Sequence, residues 1–136
     1  MIRDPELWAI LGGRLCLENM DMRKRIGRTV GEMQLIFWQM PEAGFCLDLG
    51  HARQIDPTMS IAIEMIRIFG GRLRQLHVSE VGTFGEHRSR IGFLAQEAFR
   101  KVARYLPSDV PLILESLVAE HEIDAELGVV RDLFAA

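Results

Sequence analysis

A strand-like apolar run followed by an amphipathic segment recurs four times in this chain at a spacing of about 30 residues, and this recurrence limits the fold more than any other feature. The apolar runs are residues 14–19, 44–49, 73–79 and 111–116. The amphipathic segments span about 27–40, 57–69, 92–106 and 123–134, and a short helical segment at 5–11 precedes the first run. Pro57 suits a first helical turn, with Asp56 before it as the cap. Strands alternating with helices of this length form βαβ units and hence a parallel sheet. Right-handed crossovers then put every helix on one side of a sheet wound in one direction. Four such units make half of a (β/α)₈ barrel; an open four-stranded sandwich is the alternative.

No Pro/Gly/Ser linker divides the 136 residues, so a single half-barrel domain over 1–136 is expected, and 49% hydrophobic residues can supply its core. Cys16 and Cys46 lie inside apolar runs without zinc-type spacing and read as buried thiols. The chain has no run long and apolar enough to span a membrane, and its start is charged, so a cytoplasmic location is expected. A net charge of −3 argues against a general nucleic-acid surface. Arg23, Lys24, Arg25 and Arg28 form a local basic cluster after the first strand, suited either to a solvated face or to a substrate phosphate.

Side chains two apart in a strand share a face. Leu15 and Leu17, then Phe45, Leu47 and Leu49, then Leu76 and Val78, then Leu112 and Leu114 make one apolar face for the helices. The opposite face carries Cys16 and Glu18, Cys46 and Asp48, Gln75, His77 and Ser79, and finally Ile113 and Glu115. Every strand therefore ends, at its carboxyl side, in an ionisable group: Glu18, Asp48, His77 or Glu115. In a barrel these four converge on the end where barrel enzymes keep their chemistry. Three carboxylates crowded together raise one another's pKa, and a divalent cation relieves that conflict. Carboxylates with one imidazole suit Mn²⁺, Co²⁺, Mg²⁺ or Zn²⁺.

Four motifs carry a resemblance to a known family: LCLEN (15–19), LDLGHA (47–52), LHVSE (76–80) and LILES (112–116), of which Asp48-x-Gly50-His51 is the most specific. In this order and spacing they resemble strands five to eight of the xylose-isomerase-like barrel superfamily, which includes sugar epimerases, sugar-phosphate isomerases and endonuclease IV. The resemblance implies one divalent metal on Glu18, Asp48, His77 and Glu115, with Glu18 and Glu115 also acting as the acid/base pair. Proton transfer next to a carbonyl of a sugar or sugar phosphate is the implied reaction, the metal stabilising the enediolate. His51 is expected to contact substrate or a second metal, and His87 and Arg23 to contribute to substrate binding. His121, in an acidic loop, reads as surface.

Two other functions compete with this one. A non-catalytic interaction protein could keep the ligands as relics, since the family's first half contributes much of the substrate pocket. An endonuclease-like phosphodiesterase needs an Asp-x-His where this chain has Gly85-Glu86-His87, and needs histidines from that first half. A half-barrel also has two unpaired strand edges and leaves the face bearing Cys16, Cys46 and Ile113 uncovered, so a homodimer is expected, or else a separately encoded first half.

Overall fold

A computed structural model of the chain describes residues 5–135. Its elements are α1 (Pro5–Leu11), β1 (Cys16–Glu18), α2 (Val30–Gln39), β2 (Gly44–Asp48), α3 (Leu49–Ile55), α4 (Ser60–Phe69), β3 (Leu73–Val78), α5 (Phe93–Ala103), β4 (Leu112–Leu114) and α6 (Ile123–Phe134). The four strands form one all-parallel sheet in the order β1-β2-β3-β4, with helices between consecutive strands. This α/β arrangement is compatible with half of a barrel. Among the described residues no helix is long and apolar enough to cross a membrane.

The apolar strand face behaves as its alternation requires. Phe45, Leu47, Leu76 and Val78 are fully buried and share one core with Met33 and Phe37 of α2, Met65 and Phe69 of α4, Phe99 of α5 and Leu133 of α6. Phe45 meets Phe37 edge-on with centroids 5.8 Å apart and Phe69 at 5.7 Å, close to the preferred geometry of aromatic pairs. The register between β2 and β3 slips after Phe45, which pairs with Leu73, while Cys46 pairs with Gln75. Arg74 is the extra residue of this bulge. Leu73 and Leu76 consequently both reach the core, although three residues separate them.

Several boundaries depart from the sequence reading, among them the last strand, which covers Leu112–Leu114 and leaves Glu115 just past its end. The helix expected from residue 27 starts at Val30, because Thr29 and Glu32 form a capping box: Thr29 Oγ1 accepts from the Glu32 N–H, and the Glu32 carboxylate accepts from the Thr29 N–H. Gly27, at φ +93°, belongs to the loop that folds back on Met20. The helix expected from Pro57 starts at Ser60. Its N-cap is Met59, at φ +66° and buried in the core, not Asp56, which instead ends α3 and accepts from the N–H groups of Thr58 and Ile61, while Pro57 lies in the turn. Leu49, read as the end of a strand, instead begins α3, because the Asp48 carboxylate accepts from the His51 N–H and caps a helix there.

The uncovered face is only partly open. Ile113 is 38% exposed, as expected for an unpaired face, and Leu112 beside it is 39% exposed. Cys46 is buried, as its apolar run implies, although the half-barrel argument left its face uncovered. It lies on an inner strand between Cys16's strand and Gln75, whose side chain hydrogen-bonds its thiol. Burial pushes the Cys46 thiol up to about 12, and burial likewise raises Cys16. Both cysteines are free; Cys46 is buried, whereas Cys16, also expected to be buried, is only partly so.

Candidate metal centre

The parallel register sets the strand ends in a stagger. Glu18 pairs with Cys46, Asp48 with His77, and Glu115 follows β4 directly, its N–H donating to the Val78 carbonyl. Glu18, Asp48, His77 and Glu115 each offer a ligand atom, and these atoms all lie within 4.8 Å of one another. His77 Nδ1 is 3.0 Å from Glu115 Oε1 and 3.5 Å from Glu18 Oε1. The four side chains that the alternation placed on one face are therefore together at one point.

Asp48 is the buried member, with no exposed surface. Its Oδ1 accepts from the His51 N–H at 2.7 Å, whereas its Oδ2 is buried without a hydrogen-bond partner. Burial pushes the Asp48 carboxyl well above the usual carboxylate range, and the charges of Glu18 and Glu115 raise it further against the opposing His51 N–H. This is the crowding expected of three carboxylates, concentrated on the one with least access to water.

His77 Nδ1 is the second buried polar atom left unsatisfied, since Glu115 is near it but out of line for a hydrogen bond. Each such atom costs about 1–3 kcal/mol. A cation at the centre of the cluster would satisfy both. Three carboxylates and an imidazole are a donor set suited to Mn²⁺, Co²⁺, Mg²⁺ or Zn²⁺, so the residues fit a divalent ion.

Two further histidines stand beside the cluster. His51 Nδ1 lies 2.9 Å from the Asn19 carbonyl, 3.4 Å from Glu18 Oε1 and 3.5 Å from Asp48 Oδ2. A carbonyl only accepts, so Nδ1 carries a proton, and in the neutral ring Nε2 keeps its lone pair. His87 Nδ1 is 3.0 Å from Ser79 Oγ and 4.0 Å from Glu115 Oε2, and its ring centroid is 6.1 Å from that of His51.

Arg23 is engaged elsewhere. Its guanidinium makes two bonds to the buried Asp21, at 2.7 and 3.0 Å, which hold the Asp21 carboxyl down at about 2. It also lies against Gly85, where a Cβ would fall 2.3 Å from Arg23 Nε. Arg28 pairs with Glu32 at 3.5 Å. Lys24 and Arg25 have no carboxylate within ion-pair distance among the described residues, and both line an open cavity of about 580 Å³ that Glu18 also lines. His121 is exposed in a short turn before α6, as its surface reading implies.

Two buried polar residues that support the site were not legible in the sequence. Asn19 accepts from the Asp48 N–H at 2.7 Å and donates to the Asp48 carbonyl at 2.9 Å, locking the end of β2 to the loop after β1. Glu126, on the face of α6 turned to the loops, accepts from the Ile91 N–H at 2.7 Å and from Ser116 Oγ at 3.3 Å. Only the adjacency of Asn19 to Glu18 hinted at the first. A glutamate in an amphipathic helix gave no hint of the second.

No protein-family model matches the chain, and neither does any curated protein. Any assignment of chemistry therefore rests on the side chains themselves.

Proposed function

We propose that the chain is a half-barrel whose Glu18, Asp48, His77 and Glu115 hold one divalent ion, and that it moves a proton at a carbon next to the carbonyl of a sugar or sugar phosphate. The observation that carries this reading is the convergence of four donors in which two buried atoms, Asp48 Oδ2 and His77 Nδ1, lack partners. A bound divalent ion supplies Lewis-acid stabilisation of negative charge on substrate oxygens.

The residues divide the remaining work by exposure. Asp48, fully buried, can only hold the ion. Glu18 ends one outer strand and Glu115 directly follows the other, with side chains 28% and 30% exposed, so each can meet both the ion and a substrate. One removes the proton and the other returns it. His51, with Nδ1 committed to Asn19, presents Nε2 to accept a hydrogen bond from a substrate hydroxyl. Lys24 and Arg25, rather than the paired Arg23, are the cations available to a substrate phosphate.

The test is calorimetric titration of Mn²⁺ or Zn²⁺ into metal-free protein, followed by incubation with a panel of ketoses, aldoses and their phosphates in D₂O. One ion per chain at about micromolar Kd is expected, together with deuterium incorporation next to the carbonyl. Glu18→Gln and Glu115→Gln should each reduce that exchange by about 10²–10⁴-fold. Failure to bind any ion would overturn the metal reading. Binding without exchange on any sugar would favour a non-catalytic role, and tight binding of two or three zincs would favour phosphodiester hydrolysis.

We also propose self-association. β1 and β4 are the edges of the sheet, and Leu112, Ile113 and Leu117 near the second edge are exposed. Unpaired strand edges with apolar neighbours are surfaces that proteins ordinarily cover. Light scattering at micromolar concentration should report twice the chain mass of 15.5 kDa; a monodisperse particle of the single-chain mass would refute this.

A further inference from the structure

His77 turns Nδ1 toward Glu18 and Glu115 and holds Nε2 3.1 Å from the side-chain nitrogen of Gln75. Gln75 is half-buried on β3, opposite Cys46 in the register, and its side chain also hydrogen-bonds the Cys46 thiol. A carboxamide can present either two N–H donors or an accepting oxygen to the same neighbours by rotating half a turn. The imidazole has the matching choice, because the neutral ring carries one proton, on Nδ1 or on Nε2.

For the neutral ring, only two combinations of these choices satisfy the contact. With the amide nitrogen toward His77, Nε2 accepts, and the ring proton sits on Nδ1 facing the carboxylates. With the amide oxygen toward His77, Nε2–H donates, and the Nδ1 lone pair faces Glu18, Asp48 and Glu115. A nitrogen that carries a proton cannot be a metal ligand, so only the second combination leaves Nδ1 able to coordinate.

We infer that Gln75 is a positioning residue that sets the tautomer of His77, and that rotation of its amide converts the cluster between a metal-free and a metal-binding arrangement. This rests on the proposed single-ion reading. The sheet does not move; one amide and one ring proton exchange places. Metal-bound histidines generally depend on such a partner for the second nitrogen, and its loss lowers affinity by about 10–100-fold.

Histidine-labelled protein and long-range ¹H–¹⁵N spectra, with diamagnetic Zn²⁺ as the probe, test this directly. The metal-free wild type should carry the His77 proton on Nδ1, and the Zn²⁺ form should carry it on Nε2. Gln75→Leu should bind Zn²⁺ about 10–100-fold more weakly and show a mixture of tautomers without metal. Gln75→Glu, whose carboxylate can only accept, should hold a proton on Nε2 even without metal and bind Zn²⁺ at least as tightly as the wild type. A purely structural role for Gln75 would not produce that rescue. Wild-type affinity in Gln75→Leu, or a metal-free Gln75→Glu ring with no proton on Nε2, would overturn the inference. Should the wild type bind no Zn²⁺, the single-ion reading falls, and the metal-free tautomers of the wild type and Gln75→Glu still decide whether Gln75 controls the ring.

Discussion

Asp48→Asn is expected to make the metal-free protein more stable near neutral pH while lowering its affinity for divalent ions by more than about 100-fold. The carboxyl of Asp48 is buried, uses Oδ1 to cap α3 and leaves Oδ2 without a partner beside two other carboxylates. Asparagine keeps the accepting oxygen and removes the charge. Its NH₂ group would face the oxygens of Glu18 and Glu115 as a donor instead of a competitor. Relief of an uncompensated buried charge is worth about 1–3 kcal/mol, or several degrees in Tm for a chain of this size.

The pH dependence follows from the direction of the Asp48 shift. Its folded-state pKa lies above the unfolded value, so the folded protein binds the proton more tightly. Below the ordinary aspartate range both states are protonated and nothing is lost. As pH rises above about 4 the unfolded chain ionises first, and stability falls until the folded-state value is passed. The metal-free wild type should therefore lose stability relative to Asp48→Asn as pH climbs, whereas ion affinity in the wild type should rise as protons cease to compete. Calorimetric melting of both proteins in EDTA at several pH values, repeated with Mn²⁺, checks each part. An Asp48→Asn protein less stable than the wild type at pH 8 in EDTA, or one that binds Mn²⁺ equally well, would contradict this account.

Phe45→Ala is expected to cost about 3–5 kcal/mol, the largest loss of stability from any single truncation proposed for this chain. Phe45 has no exposed surface and holds α2 and α4 to the sheet through edge contacts with Phe37 and Phe69. A domain of ordinary stability has only about 5–15 kcal/mol in total, so the variant should be at or near the point of unfolding. Phe45→Leu keeps most of the volume and should cost about 1–2 kcal/mol. Phe45 stands three residues before Asp48 on β2, so loosening it should also weaken ion binding. Urea unfolding gives the measurement; a Phe45→Ala midpoint corresponding to less than about 1 kcal/mol of loss would mean that this core is not packed as described.

The order of the elements and the identity of the four cluster residues were legible because strand alternation is local. Leu15 and Leu17 against Cys16 and Glu18, or Phe45 and Leu47 against Cys46 and Asp48, sort themselves into faces whatever the rest of the chain does. Capping was less legible. Asp48 had already been assigned to a strand end, and nothing nearby signalled that its carboxylate would also start α3. Asp56 ends α3 instead of capping the next helix, because the turn through Pro57 and the left-handed Met59 delays that helix to Ser60. The bulge at Arg74 appears only when β2 and β3 are paired, since a register slip belongs to two strands at once.

The sequence by itself determined the parallel βα order and the face on which Glu18, Asp48, His77 and Glu115 stand, because both depend on periodicities that extend over a few residues. Tertiary structure alone decided that Asp48 is the buried carboxylate, that Asn19 holds it through bonds spanning 29 positions, that Arg23 turns to Asp21, and that His77 Nδ1 is left without a partner. Desolvation and hydrogen-bond satisfaction depend on every group that surrounds an atom, and around these atoms the groups come from strands and loops far apart in the chain.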